Sequence, residues 1–234
     1  MSTIAENLKQ VKGRIAAAAV RTGRDQAAIS LVAVSKLKPS SMIREAFEAG
    51  QRAFGENYAQ ELRDKAGELA DLDIEWHFIG HLQRNKAKYV AKVASMVESV
   101  DSPEIADALD ARAKGPLPCL IEVNVGSEGS KSGVAPEGIL ELARHIEGLS
   151  NLDLRGLMVI PPFDIEPDES RRYFIRLREE LGRLRESMPG LPLTELSMGM
   201  SHDFEAAIEE GATIVRVGTA IFGERPCAYL TSVI

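Results

Sequence analysis

Cysteine is scarce, with Cys119 and Cys227 the only two in 234 residues. They stand far apart and without companions. That excludes a disulfide framework and a zinc-type cysteine cluster, and it fits a reducing compartment. No apolar run reaches the length of a membrane-spanning helix. Basic residues are outnumbered, 28 Lys and Arg against 35 Asp and Glu, for a net charge of −7. Such an acidic balance is poor for nonspecific nucleic-acid binding. No Gly-x-Gly-x-x-Gly follows the first strand, which weakens a dinucleotide-binding reading. The N-terminal stretch carries Glu6, Lys9, Lys12 and Arg14 inside a periodic helix, so it does not read as a signal peptide. No linker, composition shift or internal repeat marks a second domain. What is present, 44% hydrophobic and 27% charged residues, suits one well-packed domain over residues 1–234. A cytoplasmic location is expected.

The organising stretch is Ile29-Ser-Leu-Val-Ala-Val-Ser-Lys-Leu-Lys38, stopped by Pro39. A short, β-branched apolar run with a proline stop reads as a buried parallel strand. Lys36 at its end has two readings. It snorkels to water, or it sits in a partly dry pocket, loses proton affinity and becomes a nucleophile toward carbonyl carbon.

The rest of the chain alternates strand and helix. Thr3-Ile-Ala-Glu6 is a capping box, and Ile4, Leu8, Val11, Ile15 and Ala18 recur at helical spacing toward Gly23. Further helices are expected over residues 39–50, 58–70, 83–93 (a basic one), from Ser102-Pro103 onward with Ser102 as N-cap and Pro103 at the first position, and over 136–149, 168–188 and 201–210. Strands are expected at 53–57, 75–80, 95–100, 118–125, 154–160, 194–198 and 213–218. With the first, these make eight strands in a chain of ordinary (β/α)8 length. Alternation argues for a parallel sheet and the count for closure: a TIM barrel with an extra N-terminal helix. A doubly wound open sheet is the alternative. The arginines of 168–188 alternate with acidic residues and read as a solvated face.

In such a barrel the site lies at the C-terminal strand ends, and a phosphate commonly sits on the loops after strands seven and eight. Ser197-Met-Gly-Met-Ser-His-Asp203 is a glycine turn feeding a helix, with Ser201 its expected N-cap. Arg216-Val-Gly-Thr-Ala220 offers a close backbone approach at Gly218 and a hydroxyl at Thr219. Each could equally be an ordinary βα turn. On a period-2 strand Arg216 shares the face of Gly218 and points into the mouth, unless it pairs with a buried carboxylate such as Glu122. A lysine, an arginine and a phosphate cradle match the aldehyde, ring nitrogen and phosphate of pyridoxal 5′-phosphate (PLP).

At these residues the chain resembles the pyridoxal phosphate homeostasis proteins. The matching pieces are Val32-Ala-Val-Ser-Lys36, Phe54-Gly-Glu-Asn57-Tyr58, Trp76-His77-Phe-Ile-Gly80-His-Leu-Gln83-Arg-Asn85-Lys86, Gly156-Leu-Met158, Leu196-Ser-Met-Gly-Met-Ser201-His-Asp203 and Val215-Arg-Val-Gly-Thr219. They span nearly the whole chain. The resemblance implies a barrel like the N-terminal domain of alanine racemase, with PLP as a Schiff base on Lys36. It also implies phosphate contacts from Met200, Ser201, Gly218 and Thr219, ring-nitrogen contact from Arg216, and a pocket lined by Asn57. It implies a carrier or regulator of free PLP and related B6 vitamers in vitamin B6 homeostasis, without an established catalytic activity.

Other signals are weaker. His77 and His81 do not share a helical face, so a metal pair is not expected. Residues 126–132 lack the glycine and spacing of a P-loop. Lys131 is expected in a loop at the barrel mouth; Lys38 faces that mouth or is solvated. Tyr58 is a candidate local acid or base. Three functions compete: a monomeric PLP carrier that serves apo PLP enzymes, a small PLP-dependent amino-acid racemase, and a phosphosugar-binding barrel. Racemisation needs an acid and a base on opposite faces of the carbanion, and only eleven residues follow Gly223, so efficient catalysis is not expected.

Overall fold

The computed structural model describes residues 2–126, 132–162 and 165–224. Its strands are β1 (Ser30–Val34), β2 (Ala53–Glu56), β3 (Glu75–Phe78), β4 (Met96–Val100), β5 (Leu117–Glu122), β6 (Leu152–Met158), β7 (Glu195–Ser197) and β8 (Ile214–Val217). They are parallel and hydrogen-bonded in sequence order around a closed barrel, with β1 paired to both β2 and β8. The helices are α1 (Ile4–Arg21), α2 (Ser40–Glu48), α3 (Ala59–Glu68), α4 (Ala87–Val90), α5 (Pro103–Asp110), α6 (Ile139–Glu147), α7 (Pro167–Ser187), α8 (Phe204–Glu209) and α9 (Thr219–Phe222). The fold is a (β/α)8 barrel with an N-terminal helix. Among the described residues, no helix is long and apolar enough to cross a membrane.

The extra helix α1 forms as its sequence dictates. Thr3 Oγ1 accepts from Glu6 N–H, and Glu6 returns the bond to Thr3 N–H at 2.8 Å. Such a cap is worth about 1 kcal/mol. Ile4, Leu8, Val11 and Ile15 are buried on one face, each worth roughly 1.5–3 kcal/mol against exposure. That face packs on α2, α8 and α9. Arg14 also stacks over Phe204, 4.5 Å from the ring centre, and pairs with Glu205.

Period-2 alternation sorts the strand side chains into two cores. The larger lies between strands and helices. The smaller fills the barrel floor and holds Val32, Ala53, Leu120, Met158 and Ile214, with Met96 against it.

Three expectations need correction. The basic helix over 83–93 is much shorter: Arg84–Lys86 form a 3-10 turn and only Ala87–Val90 an α-turn. Buried Leu82, Ala87 and Val90 fix this segment, and the chain must then reach β4 at Met96, so one turn is all that fits. The strand around Val32 ends at Val34, with Lys36 in the turn beyond it rather than on the strand. Ser102 holds the N-cap position of α5 but its side chain makes no capping bond; the hydroxyl donates to Asp101 Oδ1 instead.

Candidate functional site

The turn carrying Lys36 closes with a bond from Lys38 N–H to the Ser35 carbonyl at 3.0 Å. Its third residue, Leu37, has φ 59°, the one non-glycine residue with positive φ among those described. Left-handed backbone costs a side-chain-bearing residue roughly 1–2 kcal/mol, so it persists only where neighbours over-determine it. Glu61 of α3 is one such neighbour, accepting from Leu37 N–H at 2.7 Å.

Lys36 opens into a cavity of about 250 Å³ at the barrel mouth, also lined by Asn57, Met200, Ser201, Arg216, Gly218 and Thr219. Every site residue expected from sequence borders this one space. Sequence reasoning missed five other walls, Val34, Ile79, Ile160, Pro161 and His202. Tyr58 is half-exposed at the start of α3 and is not among the lining residues.

Ser201 is where it was expected but not as a helix cap. The residue at the N-cap of α8 is Asp203, whose Oδ1 accepts from Met200 N–H at 2.6 Å. Ser201 turns the other way: its Oγ accepts from Gly218 N–H at 3.2 Å and Ala220 N–H at 3.4 Å. The two βα loops are thereby stitched together, with two backbone donors converging on one hydroxyl. Two glycines permit this. Gly199 has φ 93°, and a Cβ there would lie 2.5 Å from Ala207 Cβ; at Gly218 a Cβ would lie 3.2 Å from the Val34 carbonyl oxygen.

Arg216 lines the cavity floor at 3% exposure. The buried carboxylate it pairs with is Glu98, 3.9 Å from Nη1, not Glu122. Nη1 donates to Ser197 Oγ at 2.5 Å and Nη2 to the Val159 carbonyl at 2.8 Å. Ser197 Oγ donates to Glu98 Oε2 at 2.5 Å, and His77 Nδ1 meets Glu98 Oε1 at 2.6 Å. Burial works to raise the Glu98 carboxyl. The bond from His77, the charges of His77 and Arg216, and the bond from Ser197 outweigh it, so the carboxyl lies below its ordinary range. Burial alone lowers the Arg216 guanidinium, against Glu98, Glu122 and Asp203. The register explains the choice of partner: Glu98 lies two residues past Met96, and Arg216 two past Ile214, so both rise from the barrel floor on inward faces.

The other sequence candidates separate. Lys38 Nζ is held by the carbonyls of Phe222, Gly223 and Glu224 at 2.9–3.1 Å. It secures the end of α9 and is neither a mouth nucleophile nor a solvated turn residue. His81 pairs with Asp101 at 3.3 Å, on a different carboxylate from His77. Lys131 and Cys227 lie outside the described residues.

With this geometry in place, likeness to known proteins becomes specific. The family described as "Alanine racemase, N-terminal domain" matches residues 2–226. The pyridoxal phosphate homeostasis protein of Pseudomonas aeruginosa is 51% identical over 228 residues, covering 96% of this chain and 97% of that one. That of Aquifex aeolicus is 47% identical over 223 residues, covering 94% and 97%. The chain belongs to the pyridoxal phosphate homeostasis protein family. Among solved structures, PipY of Synechococcus elongatus with PLP bound superposes at a TM-score of 0.81 with 38% identity, covering 94% of this chain and all of that one. Alanine racemase of Corynebacterium glutamicum shares the fold, at TM-score 0.70 and 21% identity; the match covers 97% of this chain and 62% of the racemase.

In this family member the Lys36 turn is braced from behind by residues that sequence reasoning did not single out. Lys65 of α3 is 6% exposed. Its Nζ donates to the Ser35 carbonyl at 2.8 Å and pairs with Glu56 and Glu61, each at 2.7 Å. Ser35 Oγ also donates to Glu56 at 2.7 Å. Burial raises the Glu56 carboxyl, Lys65 opposes that, and Glu61 adds to it.

Proposed function

We propose that this protein binds PLP in the Lys36 cavity, holds it as a Schiff base on Lys36, and serves the homeostasis of that cofactor without being an efficient enzyme. The observation that carries the reading is the convergence of Lys36, Asn57, Met200, Ser201, Arg216, Gly218 and Thr219 on one cavity of about 250 Å³. When bound, PLP supplies a carbonyl carbon that a lysine amine can attack.

The residues present fit that group. The cavity offers an amine, a guanidinium, and a hydroxyl beside backbone N–H groups. These answer a carbonyl, a ring nitrogen and a phosphate in turn. Asn57 Oδ1 is buried without a hydrogen-bond partner, a costly state for a polar atom, and PLP carries a ring hydroxyl that can donate. In this reading Ser201, Met200 and the Gly218-Thr219 segment hold phosphate. Arg216, fixed by Ser197 and Val159, faces the ring nitrogen. PipY of Synechococcus elongatus, seen with PLP bound, supports the assignment. The same reading has one PLP-binding domain over residues 1–234, acting in the cytoplasm as a monomer and passing cofactor to apo PLP enzymes.

Borohydride reduction of the PLP-loaded protein, followed by peptide mapping, tests it. The pyridoxyl label is expected on Lys36. Label mainly on Lys38 or Lys131 overturns the assignment. Loaded protein is then mixed with an apo PLP enzyme and, separately, with L- and D-amino acids. Activation of the enzyme supports the carrier reading; multiple turnovers of an amino acid without activation select the racemase instead.

A further inference from the structure

A second chamber, of about 330 Å³, adjoins the Lys36 cavity and shares Asn57, Ile79 and Ile160 with it. Glu122, at the end of β5, lines this chamber. Three glutamates end or occupy barrel strands and are almost wholly buried: Glu56, Glu98 and Glu122, at 0%, 0% and 6% exposure. Two have protein partners: Lys65 and Ser35 hold Glu56, and His77 and Ser197 hold Glu98. Glu122 has no side-chain hydrogen bond or ion pair among the described residues.

The charged groups that act on Glu122 do not satisfy it. Arg216 is engaged by Ser197 and the Val159 carbonyl. His81 pairs with Asp101. Burial, with Asp101 adding and Arg216 and His81 opposing, pushes the Glu122 carboxyl to about 7. A buried carboxylate without a cation is expensive, and an ammonium group on a ligand would supply the missing charge-assisted bond. Ile79, Val123, Val159 and Ile160 supply an apolar part of the wall, and Asn57, His81, Asn124, Ser132 and Tyr173 a polar part.

We propose that this chamber is a binding site for a small primary amine, its ammonium on Glu122 and its apolar body against Ile79, Val123, Val159 and Ile160. The site is defined without the cofactor and stands or falls separately from the PLP reading. The test is a titration of the cofactor-free protein with n-butylammonium chloride, with n-butanol and n-butyrate as controls of similar size. Saturable binding of butylammonium is expected, stronger than either control and rising about tenfold from pH 6 to pH 8 as a carboxyl with a midpoint near 7 ionises. Glu122→Gln is isosteric and should abolish both the preference and the pH dependence, while His81 and Asp101 stay in place. Carbon-13 NMR of the Glu122 carboxyl gives a second readout: a midpoint near 7 that falls when amine is added.

Butanol binding as tightly as butylammonium, or affinity unchanged in Glu122→Gln, or no saturable binding at all, overturns the proposal. So does a Glu122 carboxyl that titrates at its ordinary value of 4.5 without amine, because a group of the protein then already neutralises it. Borohydride labelling of Glu122→Gln, run alongside, reads the Lys36 cavity independently.

Discussion

Lys65 Nζ donates to the Ser35 carbonyl at 2.8 Å, so a side chain of α3 fixes the turn that presents Lys36. The same ammonium sits between Glu56 and Glu61, and Glu61 holds the strained Leu37 N–H. One buried cation therefore organises both ends of the turn.

Replacing Lys65 by Met should be strongly destabilising. It removes the cation shared by Glu56 and Glu61 and one of the two donors to the Ser35 carbonyl, and breaking a buried ion pair from one side costs about 3–5 kcal/mol. Urea unfolding measures this. Glu56→Gln in the same chain should recover part of the loss, because a neutral partner no longer needs the cation. An unchanged midpoint in Lys65→Met would mean that water already satisfies the network.

For Ser201→Ala the expected effect is on affinity. In the PLP reading the hydroxyl and the Gly218 and Ala220 N–H groups face the phosphate together. Losing one neutral hydrogen bond should weaken PLP binding by roughly 0.5–1.5 kcal/mol, more where the acceptor is charged. An absorbance titration with no difference from the parent protein would leave the phosphate to the backbone N–H groups alone.

Much of this was written in the sequence. Lys36, Ser201, Arg216 and Gly218 are close to strand ends in a regular alternation, and strand ends of a parallel barrel converge by geometry. The partners of Arg216 were not legible in the same way. Glu98 and Ser197 stand 99 residues apart and meet only through barrel stagger, which no local pattern encodes. A signal did exist for Glu98, an acid inside the short apolar strand Met96–Val100. Lys65 was also findable, since it falls between Leu62 and Leu69 on the buried face of α3. The Ser201 cap failed because α8 begins only at Phe204, which gives the N-cap position to Asp203 and leaves the Ser201 hydroxyl to accept from Gly218 and Ala220.

Arg216 bears on ring electronics. A guanidinium does not give up its proton in proteins, and Glu98 stabilises its charge from below, 3.9 Å away. A pyridine nitrogen facing it should stay unprotonated and form a poor electron sink. Arg216→Gln keeps a donor and removes the charge. The visible spectrum of the loaded variant should then gain a pH dependence that the parent protein lacks. Identical spectra across pH, with unchanged affinity, would make Arg216 a purely structural residue.

The last prediction concerns pH and stability. The Glu122 carboxyl is ordinary, near 4.5, in the unfolded chain and rises to about 7 on folding. Below pH 4.5 it is protonated in both states and has no differential effect. Between 4.5 and 7 the unfolded chain ionises while the folded protein keeps its proton, so stability falls as pH rises. The full displacement corresponds to about 3 kcal/mol. Glu122→Gln removes the ionisation without changing the side-chain shape. It should match the parent near pH 4.5 and exceed it by up to about 3 kcal/mol at pH 8. Chemical denaturation of both proteins across that range measures the difference. A constant offset between them would show that Glu122 titrates alike in both states. If butylammonium binds as proposed, adding it at pH 8 should narrow the gap, because it stabilises only the protein that still carries the carboxylate.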